Sequence, residues 1–334
     1  MTEWNKELEK KILRKSRFTL TFRMLRLLLL SVLIYGAYMV ILSVSTDKLH
    51  IADENNFYTK LALDWKVPNL RGTQNFEEKE ITIFGTKRLS YPLVKKVGKA
   101  DLVMGDAFIT KKLSNTNSSI EYQHPGKEQL NDFSFSYPED PLSGKKLLAN
   151  PEPEVWETLG MLHEGTVAEL AFSTSRFMDT KELIQLVEPY DVDILWLPLH
   201  TGEFETFTPG SWGGDGSNIT VNTLIGLTGG RTVSEDFQST SLITSLDAKT
   251  VEESENLMIQ NIKKLLAEKP VSYYETFLGL NHLNERYKFL EENGFITYGA
   301  VVTGPVKELL KLRDVEGVQG EQLGEVELWN WENQ

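Results

Sequence analysis

The sequence predicts an α+β protein in which a single N-terminal transmembrane helix precedes a β-rich segment and a ferredoxin-like βαβ…βαβ ectodomain with a large insertion. Three observations support this: one long apolar run near the N-terminus, opposite net charges on its two sides, and two strand–helix–strand patterns in the second half of the chain. The chain is thereby divided into four predicted parts, residues 1–26, 27–44, 45–150 and 151–334.

The apolar run comprises residues 27–44, which are 18 consecutive residues without a charge. As a helix rising about 1.5 Å per residue it would be roughly 27 Å long, which nearly crosses the hydrocarbon core of a bilayer. Arg23 and Arg26 precede the run, and their long side chains can reach lipid headgroups. The predicted membrane-anchoring residues are Arg23, Arg26, Leu27, Leu30, Ile34 and Val40.

The apolar run is also compatible with two structures that do not anchor the chain. A cleaved signal peptide is one, since the small residues at 43–45 follow the apolar run at a cleavage-like spacing. Both the run and the basic region before it are longer than in a usual signal peptide, which favours an uncleaved anchor. A buried helix of a soluble protein is the other.

The charge of the chain changes sign across the run. Residues 1–26 carry eight Lys or Arg and three Glu, a net +5, whereas the whole chain has a net charge of −13, which leaves −18 for the remainder. Positively charged flanks stay in the cytoplasm, so the N-terminus is predicted to be cytoplasmic and the large C-terminal part extracellular. An acidic surface repels phosphate, which excludes direct nucleic-acid binding. The absence of cysteine from the sequence excludes disulfides, thiol nucleophiles and Cys-ligated zinc.

The segment before the anchor is predicted to be a basic amphipathic helix that continues into it. At about 100° per residue, Trp4, Leu8 and Ile12 share an arc of about 80°, and most of the basic side chains lie opposite them. Lys11 and Lys15 interrupt the apolar face. The pattern fits either a helix that lies on anionic lipid or a docking helix for a cytoplasmic protein.

The part that follows the anchor has many short β-type runs separated by Gly, Pro and Asn. The predicted strands of this part are 57–63, 81–84, 102–109 and 133–137.

The second half has clearer helix and strand signals. Asp179 is the predicted N-cap of a helix between strands 166–173 and 193–199, and Pro198 predicts an edge position or a bulge in the second strand. Further helices are predicted after Pro153, after Thr250, over 273–292 and after Pro305, and further strands over 295–302 and 326–331. The two βαβ units are therefore 166–199 and 295–331, and residues 200–293 form the insertion.

No arrangement of residues in the sequence predicts catalysis. The five histidines are scattered, and HExxH, GxSxG and Walker A motifs are absent from the sequence. His200 is predicted to be a partly buried or surface histidine rather than a general base. Glu203 and Glu205 alternate with Phe204 and Phe207, a pattern that fits a strand edge at least as well as a carboxylate pair. We therefore predict a protein that is not an enzyme and that has no cofactor or metal site, since an anchored surface hydrolase would need convergent acids or a metal.

Three runs resemble one known family. LEKKILRKSRFTLTFRMLRLLLL at 8–30, FYTKLALDWKVPNLRG at 57–72 and GTVAELAFSTSRFMDTKELIQLVEPYDVDILWLPLHTGE at 165–203 are similar to the N-terminal and C-terminal regions of the bacterial sigma factor regulators, which are membrane-bound anti-sigma factors. The resemblance implies that a cytoplasmic segment holds an extracytoplasmic-function sigma factor inactive at the membrane and that the external domain receives an envelope-stress signal. The residues expected to contact the sigma factor are Trp4, Leu8, Ile12, Arg14 and Arg17.

The cytoplasmic part of this chain is shorter than in many anti-sigma factors. Those proteins have several cytoplasmic helices, often with a His/Cys zinc site, whereas this sequence has one short helix and no Cys. Either a second small membrane protein completes the inhibitor, or direct binding has been lost. The alternative function is an envelope-anchored binding module without sigma-factor contact, whose basic helix touches only membrane lipid.

Overall fold

A long apolar N-terminal helix precedes a body of mixed helices and sheets. The computed structural model of the protein describes residues 6–48, 51–79, 81–82, 84–112, 114–124, 133–149, 152–214 and 218–331. The helices of these ranges are α1 Lys6–Lys48, α2 Ile51–Lys66, α3 Pro153–Met161, α4 Thr180–Val187, α5 Val251–Glu268, α6 Leu283–Asn293 and α7 Val306–Leu309. Shorter turns of 3₁₀ or π-helix are Asn115–Asn117, Ser272–Phe277 and Leu310–Asp314.

The strands form two main sheets and two small ribbons. The strands of the first half are β1 Leu70–Gly72, β2 Glu77–Lys79, β3 Lys87–Val97, β4 Ala100–Lys111 and β5 Ser119–Gln123. The strands of the second half are β6 Thr166–Asp179, β7 Asp193–His200, β8 Trp212–Gly213, β9 Thr220–Val221, β10 Ile225–Leu227, β11 Arg231–Val233, β12 Thr240–Leu242, β13 Ile296–Pro305 and β14 Val318–Leu328. The first sheet has the order β1-β3-β4-β5, with β2 also paired to β3, and the second has the order β10-β7-β13-β6-β14.

The second sheet is antiparallel between every pair of neighbours. β13 lies between β6 and β7 and pairs with both, so β6 and β7 run parallel without touching. α4 connects them, and α7 follows β13 before the chain returns as β14 beside β6. The predicted N-cap is present, because the Asp179 carboxylate accepts a hydrogen bond of 2.8 Å from the Lys181 backbone N–H.

Both sheets contribute to one continuous apolar core. Buried side chains of the first half, such as Tyr58 and Tyr91, belong to the same cluster as Leu170 and Val302 of the second sheet. A smaller cluster forms where Phe135 packs against Trp196, at 5.5 Å between ring centroids. The core therefore continues across residue 150.

The first clear error of the sequence prediction is the strand at 57–63, which is part of helix α2. Twelve of the sixteen residues of α2 are buried. Because α2 is enclosed on most sides, apolar residues occur around its whole circumference, and the 3.6-residue period that identifies a surface helix is hidden.

Two more predicted strands of the first half are also wrong in the described residues. Ile81 and Thr82 lie outside any strand, and Thr82 instead closes a tight turn by accepting a hydrogen bond from the Gly85 N–H at 2.9 Å. Residues 133–137 are extended but make only an isolated bridge, between Ser136 and Thr220. Their aromatic side chains alternate with polar ones because they cover the second sheet, without joining its ladder.

Two details of the second half differ from the prediction, and the structure decides between two alternatives for a third. Residues 273–292 are not one helix, because Gly279 and His282 have φ values of 70° and 57°, which interrupt the helix before α6. Pro198 is not on an edge strand, but the pairing of β7 with β13 is irregular beside it, so the bulge alternative is the correct one. The segment after His200 is a tight turn instead of a strand edge, with Phe204 at a φ of 67°.

Candidate functional site

The N-terminal part of α1 presents the predicted docking residues on an exposed helix. Leu8 and Ile12 are 60% and 61% exposed, and they lie one turn apart on the same face. Trp4 lies outside the described residues. The exposed side chains of this stretch give α1 a surface that is free to contact another molecule.

Arg14 and Arg17 lie on the opposite side of the same stretch. Both are exposed, and helix geometry separates Arg17 from Leu8 by about 180° around the axis. A partner seated on the apolar face would therefore not touch both arginines at once. The four predicted contact residues that the structure describes therefore do not lie on one face.

Two aromatic residues outside the predicted set extend the apolar face. Phe18 and Phe22 are exposed, their rings stack at 6.3 Å between centroids, and they continue the arc of Leu8 and Ile12 to a total of about 120°. The spacing of four residues between these two rings is typical of a helix face. The pair lies just before the apolar run begins. The docking face (Leu8, Ile12, Phe18 and Phe22) therefore continues directly towards the predicted anchor.

The apolar run is an uninterrupted part of α1 and is a candidate membrane span. By length and composition α1 can cross a membrane, and none of its most apolar window is buried against the rest of the protein. Leu27, Leu30, Ile34 and Val40 are all more than half exposed. The Ser31 hydroxyl donates to the Leu27 carbonyl at 2.9 Å, which satisfies the hydroxyl inside the helix itself.

The folded body (residues 51–331) is joined to α1 through α2, which is held by buried polar contacts. The Asp64 carboxylate accepts hydrogen bonds from Arg231 at 2.7 and 3.1 Å, and both side chains are buried. The Tyr273 hydroxyl donates to the Asn55 side chain at 2.8 Å, and the Trp196 indole donates to the Asp64 carbonyl at 3.1 Å. Movement of the body would therefore carry α2, and α2 begins three residues after α1 ends.

A buried charge network lies where β7 ends. Glu203 accepts hydrogen bonds from the Arg286 guanidinium, from the Thr201 N–H at 2.7 Å and from the Tyr137 hydroxyl at 3.2 Å. His200 lies 3.4 Å from Glu203 and 2.8 Å from Glu205. We name these groups the Glu203–Arg286 network. The sequence does not reveal it, because Arg286 lies 83 residues further along the chain.

The network shifts the ionisation of its members. Burial raises the pKa of Glu203, but Arg286, His200 and the Thr201 N–H outweigh it and lower the pKa to about 2. Burial lowers the pKa of His200, and the two glutamates outweigh it, so its pKa lies above the ordinary 6.5. Glu203 is thus charged in the folded state at any physiological pH.

These shifts predict how stability depends on pH. The ordinary pKa of a glutamate such as Glu203 is 4.5. Its lowered pKa in the folded state therefore contributes about 3 kcal/mol to the free energy of unfolding above pH 4.5, and this contribution is lost as the pH falls towards 2. The contribution of His200 to the free energy of unfolding is complete below pH 6.5, and it is lost as the pH rises through the higher pKa that His200 has in the folded state. We expect the Glu203→Gln variant to show a shallower acid-side loss of stability than the wild type, as measured by urea unfolding of the full chain from pH 2.5 to 9. An unchanged acid-side slope in that variant would contradict the assignment.

Comparison with known proteins decides the family. A profile described as "Sigma factor regulator C-terminal" matches residues 159–325, which is half of the chain and includes most of the second sheet. The chain belongs to the sigma factor regulator family. A second profile, "Sigma factor regulator N-terminal", matches residues 10–102 of this sigma factor regulator, which include most of α1 and all of α2.

One curated relative resembles this sigma factor regulator over most of its length. It is the "Probable anti-sigma-M factor YhdL" of Bacillus subtilis (strain 168), which is 25% identical over 268 residues. The match covers 79% of this chain and 66% of the relative, so this chain spans a little less than two thirds of that protein. No solved structure matches the chain. The family expected from the three sequence runs is thereby confirmed.

Proposed function

We propose that this chain is a membrane-anchored anti-sigma factor that holds an extracytoplasmic-function sigma factor inactive and releases it on envelope stress. The observation that carries the proposal is the pair of family profiles, which match both the exposed N-terminal helix and the folded body. The anti-sigma name of the relative points to the same role. The role is regulatory and not enzymatic.

The proposed topology has the N-terminus in the cytoplasm and the folded body outside the cell membrane. The net +5 of residues 1–26 and the net −18 of the remainder support this orientation. The functional regions are then a cytoplasmic helix at 1–26, a transmembrane helix at 27–44, a membrane-proximal region at 45–150 and a sensory region at 151–334. Because the core continues across residue 150, the last two regions share one folded unit.

Within the proposed sensory region, the strand order β7-β13-β6-β14 supports a ferredoxin-like core with residues 200–293 as its insertion. The two parallel strands β6 and β7 are separated by an antiparallel one, as a split βαβ arrangement requires. β10, which belongs to the insertion, pairs beside β7 and extends the sheet. A crystal structure in which the four strands had another order would contradict this proposal.

Signal transmission in this proposal depends on the continuity of α1. A helix of 43 residues is about 64 Å long, which exceeds a bilayer and leaves turns on both sides. α2 follows it and is held in the core by Asp64 and Arg231. A change in the body would therefore move the anchor, and altered anchoring or proteolysis would free the sigma factor.

The proposed partner is held by a helix in a groove. The docking face offers one stripe of side chains, which suits a hydrophobic groove but is too small to wrap a sigma factor. A second small membrane protein that completes the inhibitor fits this geometry.

An envelope-anchored module whose helix touches only lipid is the second candidate. It is favoured by one observation, the positions of Lys11 and Lys15 within the arc of the docking face, where they suit anionic headgroups.

The double substitution Leu8→Asp and Ile12→Asp tests the proposal. We expect it to weaken co-purification of the sigma factor with the full chain by about 100-fold or more, because two apolar anchors of an interface each contribute on the order of 2 kcal/mol. Leu13→Asp is the matched control, since Leu13 is 50% exposed on another side of the same helix. Transcription from the sigma-dependent promoter is the second readout.

Each outcome of this test separates the candidates. Release of the sigma factor by the double variant and retention by Leu13→Asp supports the docking face. If no sigma factor accompanies the wild-type chain, alone or with a neighbouring membrane protein, the anti-sigma proposal is wrong and the lipid-binding module remains.

A further inference from the structure

A cavity in the folded body lies where three segments meet. Its volume is about 200 Å³, and it lies between the C-terminal end of α2, residues 222–225 and residues 279–286. The polar residues of its lining are Lys66, Arg286, Thr223, Asn222 and Asn281, and the Asn222 amide also donates to the Ser211 hydroxyl at 2.8 Å. The residues that line it include no carboxylate.

Lys66 is partly buried and has no compensating charge beside it. Its ammonium donates a hydrogen bond to the Leu278 carbonyl at 2.9 Å, and no carboxylate of the described residues lies within ion-pair distance. Burial lowers the pKa of Lys66. Most fully buried cations of the described residues, such as Lys95, Arg231 and Arg286, are paired with a glutamate or an aspartate. Lys60 is 2% exposed and, like Lys66, donates to a backbone carbonyl, that of Gln74 at 3.3 Å, but it does not line this cavity.

Arg286 forms another wall of the cavity, and its charge is already neutralised. It is 1% exposed, it pairs with Glu203, and its Nη2 donates to the Thr223 carbonyl at 2.8 Å. The Asn281 carbonyl accepts from Nε at 3.0 Å. The cavity therefore has a fixed wall and a net charge of +1, which comes from Lys66.

The backbone beside Lys66 leaves room for the ammonium. Gly279 has a φ of 70°, and a Cβ added there would lie 2.7 Å from Lys66 Nζ. Glycine keeps this space open and also permits the left-handed backbone. The position thus accommodates a cation that the rest of the site does not neutralise.

We propose that this cavity binds a small free anion bearing a carboxylate or a phosphate group, with Lys66 as its counter-ion and the amides of Asn222 and Asn281 as further donors. A charged hydrogen bond to an anion is stronger than a neutral one, and it would satisfy the remaining protons of the ammonium. The volume suits an anion the size of phosphate or of a small carboxylate, and it is too small for a lipid with its acyl chains.

The site also has a consequence for signalling, which rests on the proposed function. Lys66 is the last residue of α2, and α2 leads directly to the membrane anchor. An anion that joins Lys66 to residues 222–225 would tie the C-terminal end of α2 to the rest of the body. Binding would then stabilise one position of the anchor relative to the body.

Calorimetric titration of the full chain in a lipid-free neutral detergent tests the site, with inorganic phosphate and acetate as the probes and chloride as the reference salt. We expect at least one probe to saturate a single site, and Lys66→Met to weaken it by about tenfold or more. Lys66→Arg keeps the charge and is expected to retain binding within about threefold. Lys307→Met is the matched control, because it removes one exposed charge that does not line the cavity.

The outcomes are distinct from those for the docking face. If neither probe saturates, if Lys66→Met binds as tightly as wild type, or if binding is found only with anionic lipid vesicles, the site proposal is overturned. The Leu8→Asp and Ile12→Asp variant is expected to bind the anion normally. Anion binding by a chain that retains no sigma factor would support this site while contradicting the proposed function.

Discussion

Replacement of Arg286 by methionine is expected to destabilise the folded body by about 3–5 kcal/mol, because it leaves the Glu203 carboxylate buried without its cation. Glu203 is 1% exposed and cannot recover water contacts without unfolding its surroundings. Urea unfolding of the full chain, followed by tryptophan fluorescence, measures the effect.

The chain offers a matched control for this prediction. Arg176 and Glu182 form an ion pair of the same two residue types, but their side chains are 58% and 46% exposed. Arg176→Met is expected to change stability by less than about 1 kcal/mol, since exposed ion pairs contribute little. If Arg286→Met and Arg176→Met lost similar amounts of stability, the claim that burial makes the Glu203–Arg286 pair more important than the exposed pair would be wrong. The double variant Arg286→Met with Glu203→Met is expected to recover part of the loss, because no unpaired charge remains.

Introducing two arginines into the apolar run is expected to remove the chain from the membrane. Leu30→Arg together with Ile34→Arg adds two charges near the middle of residues 27–44, at a cost of about 5–7 kcal/mol for insertion. Membrane fractionation after alkaline extraction measures the change, and we expect the double variant in the soluble or degraded fraction.

The control for this prediction uses the same substitutions on the same helix. Leu8→Arg with Ile12→Arg lies outside the apolar run and is expected to leave membrane association unchanged. Retention of the Leu30→Arg and Ile34→Arg variant in the membrane would contradict the span. A mature wild-type chain that begins near residue 46, detected by mass spectrometry, would instead support the cleaved signal peptide.

Features that depend on neighbouring residues can be predicted without the structure. The long helix α1 follows from an unbroken apolar run after a basic helix, and the start of α4 follows from Asp179 at the N-cap position. The predicted start of β6 is correct, although the strand continues to Asp179. The membership of the family also rests on contiguous runs of residues.

Features that depend on distant residues cannot be predicted in this way. α2 resembles a strand in the sequence, since enclosure by the core hides its helical period. Aromatic and polar residues alternate over 133–137 as in a strand, but this segment packs on a sheet without joining it. Lys66 and Arg286 meet at one cavity although 220 residues separate them, and neither carries a local motif.

The sequence by itself determined the charge asymmetry, the apolar run, the local helix and strand signals of the second half and the family. Each of these depends on composition or on residues within a few turns of one another. Only the tertiary structure decided how α2 is enclosed, that Asp64 compensates Arg231 and Glu203 compensates Arg286, and that Lys66 lines a cavity without a carboxylate. These outcomes depend on burial. A charge that is removed from water loses its hydration, so its free energy then depends mainly on whether an oppositely charged residue, often distant in sequence, lies beside it.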